Sequence, residues 1–286
     1  MSSCGPTVTD SRKSIVVTYS VLGSIVKELV GEEARVTVSM PNGADPHDWE
    51  PSARDIEAIN NADLVVENGL GLESGMLRAL NDARGAGVRF FTASDHIDIR
   101  YVGPGEGIPS DDPDQAVGAP DPHLWTDPMA MKAVAAALAD ALVVELGLDI
   151  AGRETDLANR LDILDTQISG IVAQIAPEKR KLVTGHESMG YFAQRYGFKL
   201  VGVIVPSLSS QAEVSAADLA ALKQEIAENR VKAIFAEIGT SPAVARTIAD
   251  ETGVKVVDLT THALPADGSY FTFMTDVAGT IAGALK

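Results

Sequence analysis

Four of the five histidines stand in separate loops: His47 in GADPHDWEPS, His123 in APDPHLWTDP, His186 in LVTGHESMGYF and His262 in LTTHALPADGSY. Imidazole nitrogen is a borderline-soft donor that binds zinc at about 2.0–2.1 Å, and four neutral imidazoles do not repel one another when they meet at one point. Consecutive members are more than sixty residues apart, unlike the few-residue spacings of a zinc finger or an HExxH helix. A shared site must therefore be assembled by tertiary structure, with two residues from each half of the chain. The fifth histidine, His96 in ASDHIDIR, reads as an exposed loop residue.

The elements that would position them are legible in the hydrophobic pattern. Short β-branched runs at 14–21, 34–40, 62–68 and 88–92 read as strands, with helices at 20–30, 51–60 and 75–85 between them. A second series repeats the plan, with strands at 181–184, 199–205, 231–237 and 254–259 and helices at 188–196, 214–229, 241–252 and 269–284. Strands alternating with helices predict βαβ units and parallel sheets. Segments 50–69 and 213–239 both run from Ser-Ala-x-Asp through a helix to a strand ending in acidic-x-Gly, a weak trace of internal repetition. Between the halves lie two long helical patterns, 129–147 and about 150–176, the second followed by Pro177. The expected architecture is α/β: two lobes, each a mainly parallel sheet flanked by helices, joined by one long rigid helix. The expected boundaries are a tether over 1–13, a lobe over 14–148, a linking helix over 149–177 and a second lobe over 178–286. A helix is stiffer than a Gly/Ser linker, so lobe motion should be small.

In such sheets ligands collect beyond the carboxyl ends of the strands. His47, His186 and His262 each follow a strand reading, and His123 sits in a loop bracketed by Asp121-Pro122 and Asp127-Pro128. An imidazole bound through one nitrogen needs a partner on the other to fix its tautomer; Asp45, Asp48, Glu187 and Glu237 are the nearby candidates. Trp49 and Trp125, each two residues after a histidine, should pack the cleft rather than touch an ion.

Composition sets limits. The chain has 286 residues, 45% of them apolar, enough for two cores. Its net charge of −17, with 23 basic residues against 40 acidic, argues against a nucleic-acid or anionic-membrane surface. No apolar run reaches the ~18 residues of a membrane span. The segment 98–122 is rich in Gly, Pro and Asp and should be an irregular, mobile loop; its Asp111, Asp112, Asp114 and Asp121 either gather cations beside His123 or form a solvated surface. Cys4, the only cysteine, follows Ser-Ser and precedes Gly, like the end of a bacterial lipoprotein signal in which the cysteine receives the lipid.

The runs DPHDWEPSARDIEAINNADLVVENGLGLE, PHLWTDP, TGHESMGYFAQRYGF, SSQAEVSAADLAAL and IFAEIGTSP resemble successive signatures of the metal-specific solute-binding proteins of bacterial ABC transporters, the zinc and manganese receptors (cluster A-I type). The resemblance covers about residue 14 to the C-terminus. It implies two α/β lobes with one ion bound in the cleft, an extracytoplasmic location as a periplasmic or cell-surface lipoprotein, a membrane permease as partner, and a monomer. Carried over by position, His47, His123 and His186 match the first three ligands, the third being histidine or glutamate in different relatives. The fourth is usually aspartate, and here the matching stretch is Thr261-His262-Ala263-Leu264. A slip of two to four residues would select Asp258 instead. Four imidazoles favour Zn2+, or copper or nickel by affinity order alone; a carboxylate from Asp258 or Glu187 would favour Mn2+, the alternative ion, or iron. Four protein ligands also close the shell, whereas a catalytic zinc keeps a position for water. A zinc hydrolase with Glu187 or Glu237 as general base and a metal-stabilised adhesin are the competing classes.

Overall fold

The computed structural model describes residues 11–103, 106 and 117–286. Its first sheet contains β1 (Lys13–Val17), β2 (Ala34–Val38), β3 (Leu64–Glu67) and β4 (Phe90–Thr92), all parallel, in the order β2-β1-β3-β4. The second contains β5 (Lys181–Thr184), β6 (Lys199–Val203), β7 (Ala233–Ala236) and β8 (Lys255–Asp258), parallel in the order β6-β5-β7-β8. The two orders are the same when the second is renumbered from one. Each half is thus wound identically, and each presents its loops beyond the carboxyl edge of its sheet, where the two halves face each other.

Local signals account for the helix starts. The repeated Ser-Ala-x-Asp opens α2 (Ala53–Asn60) and α7 (Ala216–Asn229), in each case as a capping box in which Ser52 pairs with Asp55 and Ser215 with Asp218. Both helices connect the second strand of a sheet to the third, so the weak sequence repeat marks equivalent structural positions. In α4 (Pro128–Leu146), Asp127 caps the N-terminus, Pro128 opens the helix and Gly147 closes it at φ 68°.

Two boundaries differ from expectation. The apolar run 14–21 leaves the sheet at Val17, and α1 (Ser20–Val30) begins three residues later. Strand end and first helical turn are both buried, so burial does not change at the junction. The long helix expected over 150–176 is α5 (Arg153–Val172), begun after Gly152 at φ 83° and followed by a short 3-10 turn at Pro177–Lys179.

Helix α5 lies against α4 and against α9 (Tyr270–Leu285), and Arg160 fastens this layer: it pairs with Glu28 of α1 at 2.7 Å and stacks over the Phe271 ring at 4.1 Å. One apolar core runs from Ile15, Val17 and Leu64 of the first sheet through Leu138, Leu161 and Val277 to Leu182 and Phe235 of the second. A smaller cluster, including Val201, Leu222 and Ile248, serves only the second half. Because the larger core is continuous across both halves, a wide hinge opening would expose close-packed apolar surface. Among the described residues no helix is long and apolar enough to cross a membrane.

Candidate metal centre

All four loop histidines converge. Their donor atoms lie within 4.8 Å of one another, and every one of the four side chains is buried. His123 Nε2 stands 3.3 Å from His47 Nε2 and 3.2 Å from His186 Nε2. Nitrogens at about 2.0–2.1 Å from a central zinc define a tetrahedron with edges of roughly 3.3 Å, so these separations have the scale of a first coordination sphere. His262 Nε2 is buried with no hydrogen-bond partner, which a buried polar atom rarely tolerates unless something else binds there.

Each histidine reaches the centre by its own route. His47 follows β2 in the turn Asp45–Trp49, and Asp45 Oδ1 accepts its backbone N–H at 3.0 Å. His123 precedes a short 3-10 turn, Leu124–Thr126, that leads into α4. His186 lies two residues beyond β5, beside Gly185, where a Cβ would stand only 2.2 Å from Thr240 Oγ1; glycine lets this turn close against the loop after β7. His262 follows β8 across Leu259–Thr261.

The far nitrogens are held unequally. A neutral imidazole whose Nε2 lone pair faces the centre carries its proton on Nδ1. His123 Nδ1–H therefore donates to Asp121 Oδ1 at 2.9 Å, and His262 Nδ1–H to Thr261 Oγ1 at 2.9 Å. Glu237 Oε2 lies 2.8 Å from His186 Nδ1, an ion-pair distance, and Ser188 Oγ donates to the same carboxylate at 2.6 Å. Of the carboxylates expected to orient imidazoles, Glu237 does so, Asp45 holds only backbone, and Asp48 is exposed. Glu187 is buried, with its N–H donated to Ser207 O, and stands outside the four-donor group.

Asp121 was missed in this role. Read from sequence as one of four loop acids, it is fully buried beneath His123. The Asp-x-His spacing, shared with Asp45 and His47, was the available signal. Its companions Asp111, Asp112 and Asp114, and Cys4, lie outside the described residues. The turn that carries Asp121 is itself secured: Asn68 Nδ2 donates to Pro122 O at 2.9 Å, and Glu73 accepts from Asn68 N–H and Thr18 Oγ1. Burial pushes the Glu73 carboxyl up to about 7.

Electrostatics separates the four rings. Burial, followed by the neighbouring imidazoles, drives His47 and His262 well below the usual histidine range. Burial also lowers His123, and the Asp121 carboxylate only partly offsets it. For His186 burial is again the strongest single influence and acts downward, but the Glu237 carboxylate, joined by the charges of Asp45 and Glu187, together outweighs it and holds the ring above its ordinary value. Near neutral pH three of the rings thus stand ready as lone-pair donors.

Asp258, the residue a slipped alignment would choose, ends β8 exposed and outside the group, whereas His262 stands within it. Trp125 is fully buried, its ring 5.3 Å from His123 and 5.4 Å from His262, with Nε1–H donated to Thr261 O at 2.8 Å. It forms a wall of the site, as expected; Trp49 packs partly buried against the core. His96 stacks on Phe91 at 4.5 Å, exposed and apart from the cluster.

The chain is 32% identical over 259 residues to the high-affinity zinc uptake system protein ZnuA of Bacillus subtilis, covering 86% of this chain and 77% of that protein. It is 28% identical over 263 residues to the manganese-binding lipoprotein MntA of Halalkalibacterium halodurans, covering 89% and 81%. Its fold superposes on the periplasmic zinc binding protein TroA of Treponema pallidum with a TM-score of 0.81 at 26% identity, covering 96% of this chain and 99% of that one. The family profile described as zinc-uptake complex component A, periplasmic, matches residues 15–284, and the chain belongs to that family.

Proposed function

We propose that the protein is an extracytoplasmic receptor that binds one Zn2+ through His47, His123, His186 and His262 and delivers it to the membrane permease of an ABC importer. The observation that carries this reading is the donor set: four buried imidazoles, with Nε2 separations of 3.2 and 3.3 Å, and no carboxylate oxygen among the grouped donors. Manganese prefers oxygen ligands, so this set favours zinc over the ion named for the Halalkalibacterium relative. Four protein donors leave no position for an activated water, which argues for binding rather than catalysis. The ion is cargo, and release requires the shell to be broken from one side. His47 and His262, each 6% exposed, are the two ligands nearest solvent, against 0% and 1% for His123 and His186.

The same reading assigns residues 14–148 and 178–286 to the two lobes and 149–177 to their link, makes the chain a monomer, and gives Cys4 a lipid that tethers the receptor to the membrane. Protein stripped of metal and titrated with zinc and manganese in competition tests the central claim. One zinc per chain, retained against excess manganese, is expected; preferential retention of manganese overturns it. Mass spectrometry of the protein from its native membrane fraction tests the lipid.

A further inference from the structure

We propose that Arg100 is a positioning residue for the metal centre: acting through Asp121, it holds the His123 imidazole so that its Nε2 stays aimed at the other three donors. The proposal rests on the four-histidine reading and deepens it, by naming what fixes one of the ligands.

Arg100 is 7% exposed and lies near the start of the 98–122 segment. Its Nη1 donates to Asp121 Oδ2 at 3.0 Å. The other oxygen of that carboxylate, Oδ1, accepts both the backbone N–H and the Nδ1–H of His123, each at 2.9 Å. A carboxylate held through one oxygen alone can pivot about it. A planar guanidinium on the second oxygen fixes the carboxylate plane and, with it, the line along which Nδ1–H must point. Because the imidazole is rigid, fixing Nδ1 fixes the direction of Nε2.

Arg100 is itself anchored on several sides. Its N–H donates to the Tyr191 hydroxyl at 2.9 Å, its carbonyl accepts from Asp121 N–H at 2.9 Å, and its Nη2 pairs with Glu106. Tyr191 is the second residue of α6 (Gly190–Tyr196), which begins four residues after His186. The arginine thus ties the turn that carries His123 to the helix that follows His186, joining the two halves behind the site. Gly190 makes room for the tie. A Cβ there would stand 2.2 Å from Asp121 Oδ2 and 2.3 Å from Arg100 Nη1, separations that side-chain atoms do not adopt, so a side chain at this position would have to displace the buried pair.

The test compares Arg100→Met, Arg100→Lys, Asp121→Asn and the Arg100→Met/Asp121→Asn double variant in the full chain. Two readouts are needed: zinc affinity by competition with a chromophoric chelator, and the Nδ1–H resonance of His123 in the metal-free protein. Arg100→Met should weaken zinc about tenfold, the lower end for an outer-sphere partner, and shift or broaden the His123 resonance. Arg100→Lys, still able to donate to Oδ2, should restore most of the affinity. The double variant should be no weaker than Asp121→Asn alone, because the arginine acts through the aspartate. Unchanged affinity and resonance in Arg100→Met, or independent losses that add in the double variant, would overturn the proposal. If Arg100→Met does not fold, Gly190→Ala decides, since it forces the same pair apart with the guanidinium intact: weaker zinc supports the role, unaltered affinity refutes it. Failure of the unaltered protein to bind zinc would refute the four-histidine reading instead, and the His123 resonance would still report on Arg100.

Discussion

The tripeptide Asp-Pro-His occurs twice at the centre, at 45–47 and 121–123, and the two copies do different work. In both, the aspartate Oδ1 accepts the backbone N–H of the histidine, at 3.0 and 2.9 Å, so the local turn is the same. At 121–123 that oxygen also takes the imidazole Nδ1–H, and Oδ2 goes to buried Arg100. At 45–47 the Oδ2 instead accepts the Ser210 hydroxyl at 2.5 Å, across the cleft from the other half. Identical sequence sets the backbone, and tertiary surroundings decide whether the free carboxylate oxygen aims an imidazole or stitches two lobes together.

The largest expected effects leave that distinction untouched. His47→Ala and His123→Ala each remove one of four donors, and each should weaken zinc beyond the roughly 100-fold upper end for an outer-sphere partner. Replacing the aspartates separates the turns. Asp121→Asn leaves an amide that can present its NH2 to Nδ1, and should weaken zinc about 10- to 100-fold. Asp45→Asn keeps an acceptor for the backbone N–H and loses a half-buried hydrogen bond, a change of about 0.5–1 kcal/mol or two- to fivefold. Competition titration of the two variants side by side measures both, and equal losses would mean that Asp45 also orients its imidazole.

Much of this is legible in the sequence, and the two turns mark where local pattern gives out. The eight strand segments and the helices opened by Ser-Ala-x-Asp at 52 and 215 follow from periodicity and residue type, because both are local to the pattern, whereas the meeting of the four histidines was implied by the resemblance to the receptor family. The partner of Asp121 is not local. Arg100 lies 21 residues away along the chain, and Tyr191 a further 91 residues from Arg100. The Val17–Ser20 boundary was hidden for the opposite reason: strand and helix there are equally buried, so the pattern holds no break.

Next in size is the pH dependence, and it sharpens the contrast between the turns and the ring opposite them. His47 and His123 both titrate below the usual value of about 6.5, and His262 does too, while His186 is raised by Glu237. Between about 6.5 and the folded His186 value, zinc should therefore displace close to one proton, and affinity should rise about tenfold per pH unit. The count should climb only further down, as the pH reaches the lowered values of the other three rings. Stability of the metal-free protein follows the same signs. The three lowered histidines make the fold less stable as pH falls through 6.5, whereas the His186–Glu237 pair contributes below 6.5 and is lost as pH rises past the folded value. Calorimetry in buffers of different ionisation enthalpy counts the protons; three or four released at pH 7 would contradict the assignment of His186 as the one raised ring.

The smallest effect belongs to the stitches. Besides Asp45–Ser210, the Asn42 side chain donates to Leu264 O and accepts from Leu264 N–H, both at 2.8 Å, joining the loop before His47 to the loop after His262. These bonds are solvent-exposed, and exchange with water leaves about 0.5–1 kcal/mol for the pair. They span the cleft, so they resist its opening without shaping the coordination sphere. Asn42→Ala should speed zinc dissociation about two- to fivefold and leave association unchanged, as measured by rapid mixing with excess chelator. The effect stays small because the continuous core through Leu138, Leu161 and Phe235 already limits how far the halves separate. A fifty-fold faster release would assign the restraint to the surface ties instead of the core, and would make the cleft-spanning aspartate, not the ring-aiming one, the more consequential of the two turns.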